Sequence, residues 1–378
     1  MVQTKLPQGQ TLSPHHLLAS QGLPNNQTPF FSIAIPHYKH RRYLEVVLAS
    51  IFSQQFDDFE IVISNDCSPD DSDETLPPLL AASGRAFLYF SQPKNLGYDG
   101  NVRFCLKASR GRYVFLLGND DCLGAPDTLK KLHDSLQELG YPKVSVTNYA
   151  DWETSAVVQR ARVTQILGSG VEAAVTHFRT FSFVSGLLYD REAAATHDTG
   201  RWDQSIYYQI YLACRIIAAG GNLGTLAVMA VRKDVQIDGE RVPNYASKWS
   251  DAPWSFQQRH TGLDSVARVT IDAILPYVPL SQQSGIKRKV LAELLFTLHP
   301  FWVFDYRRVA NWSFAVGVAR GHTPSELGKG IELDLPDKLY LWALFLTLTP
   351  IALLIPVNLF SRLMSTIRVL VWRAKQGR

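Results

Sequence analysis

Cysteine is scarce in this chain and scattered along it. The four thiols, Cys67, Cys105, Cys122 and Cys214, include no Cys-x-x-Cys pair. That excludes a zinc knuckle and a disulfide framework, and it fits reduced thiols in a cytosolic setting. An excess of charge of one sign is missing too. Lys and Arg number 38 against 34 Asp and Glu, a net charge of +4, which is too balanced for a protein whose partner is nucleic acid. Residues 1–29 have almost no charge and no apolar run of signal-peptide length. They are rich in Gln, Pro, Ser, Thr and Asn, a composition that predicts a disordered tail.

What is present is an ordinary globular composition. The 378 residues are 46% hydrophobic, enough for two domains or for one large domain with an extension. Short apolar runs at 30–35, 59–64, 86–91, 113–117 and 143–147 read as strands. Segments with helical periodicity at 41–55, 70–82, 100–109 and 126–139 lie between them. This alternation predicts βαβ units with right-handed crossovers and a parallel sheet. Ligands bind such sheets beyond the carboxyl ends of the strands.

Polar clusters stand at those ends. Pro36-His37-Tyr38 follows the first strand, Asn65-Asp66-Cys67-Ser68 the second and Gly118-Asn119-Asp120-Asp121 the fourth. One acid after one strand is most simply a helix cap; three clusters in corresponding places point to a shared site. Hard carboxylate oxygens suit a divalent cation such as Mg²⁺ or Mn²⁺.

With these clusters, the segments SIAIPHYKHRRYLEVVLASIFSQQFDDFEIVISNDCSPDDS and NLGYDGNVRFCLKASRGRYVFLLGNDDCL resemble the family 2 glycosyltransferases, which have the A-type nucleotide-sugar-binding fold. The resemblance is strong over 30–140 and weaker to about 235. It implies a mixed α/β sheet flanked by helices, with a nucleotide-sugar half over 30–125 and an acceptor half over 126–235. It places Pro36, Tyr38, Asp66, Asn95, Gly97, Asn119 and Asp120 around the donor and Asp121 on the metal, Mg²⁺ or Mn²⁺. Lys39 stands where the family usually has Asn after Pro-x-Tyr. Asn65-Asp66-Cys67-Ser68 stands where it usually has Asp-Asp-Gly-Ser. Phe181–Gly186 looks like the strand segment that lines the acceptor side. The family's catalytic base is an acid at the start of the next helix, and Asp203 best matches it, with Asp198 in reserve. The resemblance thus implies inverting transfer of a sugar from a UDP-, dTDP- or GDP-linked donor to an acceptor hydroxyl. Two rivals remain. A nucleotidyltransferase would want a glycine-rich loop after the first strand, and His37-Tyr38-Lys39 has no glycine. A non-catalytic nucleotide-sugar-binding partner protein would fit the altered 65–68 cluster, but the Asp120–Asp121 pair argues for catalysis.

Residues 236–336 read as an acceptor loop and helical extension. Tyr245–Trp254 is rich in aromatics that could stack on sugar, and Phe256–His260 is weakly similar to the Gln/Arg-rich acceptor motifs of processive enzymes. Residues 337–378 read as a membrane-associating segment. From Leu339 to Phe360 there is no charged side chain, a run of about 33 Å as a helix. Pro350 and Pro356 interrupt it. Beyond it, Val357–Arg373 is amphipathic, with Arg362, Arg368 and Arg373 on the polar face. Nucleotide-sugars are cytosolic, and positive residues beside a membrane segment also prefer that side. One straight span cannot satisfy both, so the expected arrangement is monotopic on the cytoplasmic face, with a glycan or lipid-linked acceptor.

Overall fold

The computed structural model of the protein describes residues 17–22, 27–242, 262–309, 312–356 and 359. The chain divides into two compact units, Met1–Asn244 and Tyr245–Arg378, so the first unit runs past the expected end at 235. The aromatic stretch Tyr245–Trp254, the Phe256–His260 motif and, Leu359 apart, the amphipathic segment 357–373 lie outside the described residues.

The first unit is built on β1 (Leu17–Gln21), β2 (Phe31–His37), β3 (Phe59–Asn65), β4 (Ala86–Ser91), β5 (Tyr113–Leu116), β6 (Cys122–Leu123), β7 (Val144–Asp151), β8 (Val157–Val158), β9 (Gln165–Gly168), β10 (Leu187–Asp190) and β11 (Leu223–Lys233). They form one sheet in the order β1-β4-β3-β2-β5-β10-β7-β11-β6, with β8 beside β7 and β9 beside β11. The parallel arrangement expected from the sequence holds from β4 through β3 and β2 to β5. β10 then enters antiparallel to both β5 and β7, making the sheet mixed. Leu17–Gln21, expected as part of a disordered tail, instead pairs antiparallel with β4 along the sheet edge. Its period-two signal is only five residues long and sits in a polar context, so composition hid it.

Helices α1 (Arg41–Phe52), α2 (Ser72–Ala82), α3 (Gly97–Ala108), α4 (Thr128–Glu138), α5 (Gly170–His177), α6 (Arg191–Thr196) and α7 (Tyr208–Ala218) complete this unit. On α1, Leu44, Val47, Leu48 and Ile51 recur at helical spacing, and all are buried. They join Ile33, Ile35, Ile61 and Ile63 in one core. β3 is buried along its whole length, which is why the central strands read as continuous apolar runs rather than alternating ones. A hairpin of β12 (Gln236–Ile237) and β13 (Glu240–Arg241) ties back to α1: the Tyr43 hydroxyl donates to the Glu240 carbonyl at 3.1 Å.

The second unit is helical: α8 (Leu263–Ile274), α9 (Leu280–Thr297), α10 (His299–Val309), α11 (Trp312–Gly321), α12 (Pro324–Leu327) and α13 (Leu335–Leu354). Val303 and Phe304 of α10, Ala315, Val318 and Ala319 of α11 and Ala352 of α13 share a core. Two buried histidines sit beside it. The Thr349 hydroxyl donates to the Phe345 carbonyl at 2.7 Å, so its oxygen accepts from His299 Nε2 at 2.9 Å. His299 Nδ1 is then the acceptor for His322 Nδ1–H at 3.2 Å. His322 Nε2 is left buried without a partner.

Burial pushes His299 down to about 4 and His322 well below its ordinary value, the His299 neighbour adding to the effect on His322. The unfolded chain therefore binds more protons than the folded one. The stability this pair contributes is present above pH 6.5 and is lost as the pH falls from there towards about 4. Thermal unfolding followed across that range should show a falling midpoint, and His322→Phe, which keeps a ring but removes the titrating nitrogens, should flatten the fall. An equally steep fall in the variant would exclude this origin.

Candidate active site

The register of the parallel strands brings the three polar clusters to one edge of the sheet. His37 lies opposite Asn65 across the β2–β3 ladder. Ala34 lies opposite Leu116 across β2–β5, and the Leu117 N–H continues that ladder to the Ala34 carbonyl at 3.0 Å. Strand order reverses between β2 and β5, since β3 and β4 lie on one side of β2 and β5 on the other. That reversal opens a crevice at the carboxyl ends of the two strands, where Pro36–Tyr38 and Gly118–Asp121 stand.

His37 is a fully buried link in this edge. The Asn119 amide nitrogen donates to the Lys39 carbonyl and to His37 Nδ1, both at 3.1 Å. The carbonyl fixes which end of the amide is nitrogen, so His37 Nδ1 must be the bare acceptor. Its Nε2–H then donates to Ser72 Oγ at 2.9 Å, and the Ser72 hydroxyl donates to Asp70. Burial pushes His37 down to about 4, in keeping with a neutral ring. The loop bearing Asn119 is thereby tied through β2 to the start of α2. Asn119 was expected at the donor; its amide nitrogen is engaged in this tie. Tyr38 is 42% exposed, with Lys39 Nζ 4.9 Å from its ring centre.

Asp66 is buried, and its carboxylate accepts from the Leu96 N–H at 2.6 Å, while its own N–H donates to the His37 carbonyl at 2.8 Å. The Asn95 amide donates to the Asp66 carbonyl at 3.1 Å, and Asn95 Oδ1 accepts from the Gly97 N–H at 2.9 Å. So the structure brings Asp66, Asn95 and Gly97 together. Burial raises the Asp66 carboxyl, opposed by the backbone N–H groups of Leu96 and Gly97. The departures from the family pattern have a conformational side. Lys39 and Cys67 both have left-handed backbones, with φ of 59° and 56°. Asn and Gly, the residues usual there, adopt that region at less cost.

Asp121 is 4% exposed. Its Oδ2 accepts from the Ser185 hydroxyl and its Oδ1 from the Asp234 N–H at 2.9 Å. Ser185 Oγ in turn accepts from the Gly118 N–H at 2.8 Å. Burial raises both acids, with Asp234 adding to the effect on Asp120 and Asp120 to that on Asp121. Among the described residues, no three His, Cys, Asp or Glu side chains gather as a metal-holding group. The oxygens nevertheless converge. A Cβ on Gly118 would lie 3.0 Å from Asp121 Oδ2, 3.2 Å from Asp120 Oδ1 and 3.3 Å from Ser185 Oγ. Two crowded carboxylates fit an Mg²⁺-type ion that takes its remaining ligands from other oxygens. Gly118→Ala would press a methyl group against both. If the pair holds the metal of a nucleotide complex, the expected loss is about ten- to a hundredfold in Mn²⁺-dependent UDP affinity, the equivalent of roughly 1–3 kcal/mol of overpacking. Calorimetric titration of UDP with and without Mn²⁺ checks it, and unchanged affinity would mean that these oxygens hold no such ion.

The acceptor side corrects one detail. Asp203 was expected at the start of the helix that follows. That helix, α7, begins at Tyr208, and its first N–H groups are capped from α3. Asp99 accepts from the Ile206 N–H at 2.7 Å and the Tyr208 N–H at 3.0 Å. Asp203 lies in the preceding loop, with Oδ2 accepting from Arg103 at 2.8 Å and Oδ1 buried without a partner. Asp198 is fully engaged, by two Arg103 nitrogens and the Tyr208 hydroxyl. Of the two candidates, only Asp203 keeps an unbonded carboxylate oxygen.

Sequence reasoning assigned no role to His37, Asp99, Arg103 or Asp234. The strand-end rule, carried on to the apolar run in Leu223–Lys233, would have flagged Asp234. Nothing in the local pattern marks Arg103, whose partners are about a hundred residues away.

Comparison with known proteins bears on the family and the fold. Residues 32–189 match the family described as Glycosyl transferase family 2. A GalNAc(5)-diNAcBac-PP-undecaprenol beta-1,3-glucosyltransferase from Campylobacter jejuni is 33% identical over 103 residues, 27% of this chain and 33% of that protein. Abequosyltransferase RfbV from Salmonella typhimurium is 35% identical over 107 residues, 28% of this chain and 32% of its own length. The chain thus spans about a third of the length of these curated relatives. In structure it is similar to a Staphylococcus aureus TarS fragment solved with UDP, at a TM-score of 0.55 and 15% identity over 84% of this chain and 91% of that one. That likeness shows the fold: a mixed α/β sheet flanked by helices.

Proposed function

We propose, from the premise that residues 32–189 belong to glycosyl transferase family 2, that this protein is an inverting glycosyltransferase. It moves one sugar from a nucleoside-diphosphate donor to an acceptor hydroxyl in cell-surface polysaccharide or glycolipid synthesis. The observation that carries the reading is the meeting of three strand-end clusters at the point where strand order reverses.

The roles follow from position. Asp66, with Asn95 and Gly97 knotted to it, takes the base, and Tyr38 offers an exposed ring beside it. Asp120 and Asp121 would hold Mg²⁺ or Mn²⁺, which would supply positive charge against the departing diphosphate. Ser185 and the Asp234 N–H orient Asp121, while Asn119 and His37 fix its loop. Asp203 takes the proton of the acceptor hydroxyl. The relatives named above include a glucosyltransferase of an undecaprenol-linked glycan, which supports a lipid-linked or glycan acceptor here. The test is a donor panel of UDP-, dTDP- and GDP-sugars with Mn²⁺, read by calorimetry and by release of nucleotide in the presence of a polyprenyl-diphosphate-linked glycan. Binding without transfer to any acceptor would favour a nucleotide-sugar-binding partner protein instead.

Membrane association on the cytoplasmic face belongs to the same proposal. α13 is long and apolar enough to cross a bilayer. One side of it, however, is fastened to its own unit: Asp337 pairs with Arg288 at 2.8 Å and accepts from Ser284, and Arg307 donates to the Leu353 and Ile355 carbonyls. The other side bears Leu339 and Leu346, each 61% exposed, and Leu354 at 72%. A helix held on one side and bare on the other suits a lipid surface better than a lone span. Leu339→Ser with Leu346→Ser should reduce partition onto anionic vesicles by an order of magnitude or more, at about 1.5–3 kcal/mol for each buried leucine. Sedimentation with vesicles checks it, and undiminished partition would remove this face from the interaction.

A further inference from the structure

The loop that carries Asp203 is held in a conformation its own residues do not favour. Gln204 and Ile206 have left-handed backbones, with φ of 75° and 61°. A β-branched residue in that region is an outlier, and it persists only where its surroundings over-determine it. The surroundings here are on α3. Asp99 takes the N–H groups of Ile206 and Tyr208. One turn further along, Arg103 reaches the same loop with three nitrogens. Nε and Nη2 lie 2.8 and 3.2 Å from the two Asp198 oxygens, and Nη1 lies 2.8 Å from Asp203 Oδ2. Arg103 is 18% exposed. Gly200 makes room for it, since a Cβ there would stand 2.9 Å from Nη1.

This arrangement makes the two oxygens of Asp203 unequal. Oδ2 is bound by a guanidinium whose planar fork is already fixed by Asp198. Oδ1 is buried and unbonded. We propose that Arg103 is the positioning residue for the base: by holding Oδ2 it fixes the orientation in which the Asp203 carboxylate, a third of its side chain exposed, meets the acceptor. The inference rests on Asp203 being that base. In the step itself the acceptor O–H breaks and its proton passes to the Asp203 carboxylate. The acceptor oxygen bonds to the anomeric carbon as the bond from that carbon to the diphosphate breaks, its electron pair leaving on the nucleoside diphosphate. Arg103 keeps its protons throughout.

The test compares Arg103→Gln, Arg103→Lys, Arg103→Gln with Asp198→Asn, and Asp203→Asn, each in the full chain. The double variant avoids leaving Asp198 as an uncompensated buried acid should the single glutamine variant fold poorly. Transfer is measured with the most active donor of the panel, UDP affinity by calorimetry, and folding by thermal melting. A misplaced catalytic group costs about 100-fold. The expectation is therefore a kcat about 100-fold lower in both glutamine variants, with the donor KM and UDP affinity within about twofold of wild type, and partial recovery in Arg103→Lys. Wild-type kcat in a folded glutamine variant, or a loss that appears equally in donor KM, would overturn the assignment. The two readings fail separately: if Asp203→Asn transfers normally the base is wrong, whereas if Asp203→Asn is dead and the Arg103 variants are normal, only the positioning role is wrong.

Discussion

Asp121→Asn should lower transfer by about three orders of magnitude, the several kcal/mol that a metal ion contributes to charge stabilisation, and should leave the fold intact. The second half of this expectation comes from the surroundings. Asparagine keeps an oxygen for the Asp234 N–H. The new amide NH2 can donate to Ser185 Oγ, whose own hydrogen turns away, while Oγ still accepts from Gly118. The substitution also removes one of two acids crowded into a buried space, so the melting temperature should hold or rise. Transfer within tenfold of wild type, or wild-type activity that survives excess EDTA, would refute the metal assignment.

The second large effect is expected at Asp203. Asp203→Asn keeps the shape of the side chain and removes its capacity to take a proton. General-base catalysis is worth about 10²–10⁴, so turnover should fall by that factor while UDP and the donor still bind. Asp198→Asn serves as the contrast. Asp198 bonds to Arg103 and the Tyr208 hydroxyl, so its loss should show mainly in stability. If Asp198→Asn abolishes transfer with an unchanged melting temperature while Asp203→Asn does not, the base is Asp198.

The parts legible in the sequence were those with a local cause. β3 and β4 are found at Phe59–Asn65 and Ala86–Ser91, within a residue of where their apolar runs place them. The clusters around Asp66 and Asp121 were visible because a parallel sheet gathers its ligands at strand ends. The rest depends on distant pairing. β10 runs antiparallel into the middle of the sheet, and no pattern within Leu187–Asp190 records which neighbours it will have. Asp99 looks like an ordinary acid in the first turn of α3, yet it caps a helix that begins at residue 208. The position of Asp203 at the helix start was misread for the same reason: the cap was supplied from elsewhere, and the loop was free to take a different course.

The short strand β1 has a bearing on how copies of this chain meet one another. β4 reads Ala-Phe-Leu-Tyr-Phe-Ser, with its first five residues buried. Without a neighbour it would be a long apolar edge whose unpaired N–H and C=O groups invite a strand from another molecule. Leu17–Gln21 occupies that place in the antiparallel sense. It therefore acts as a plug against self-association, and trimming the chain to begin at residue 30 would uncover an adhesive edge.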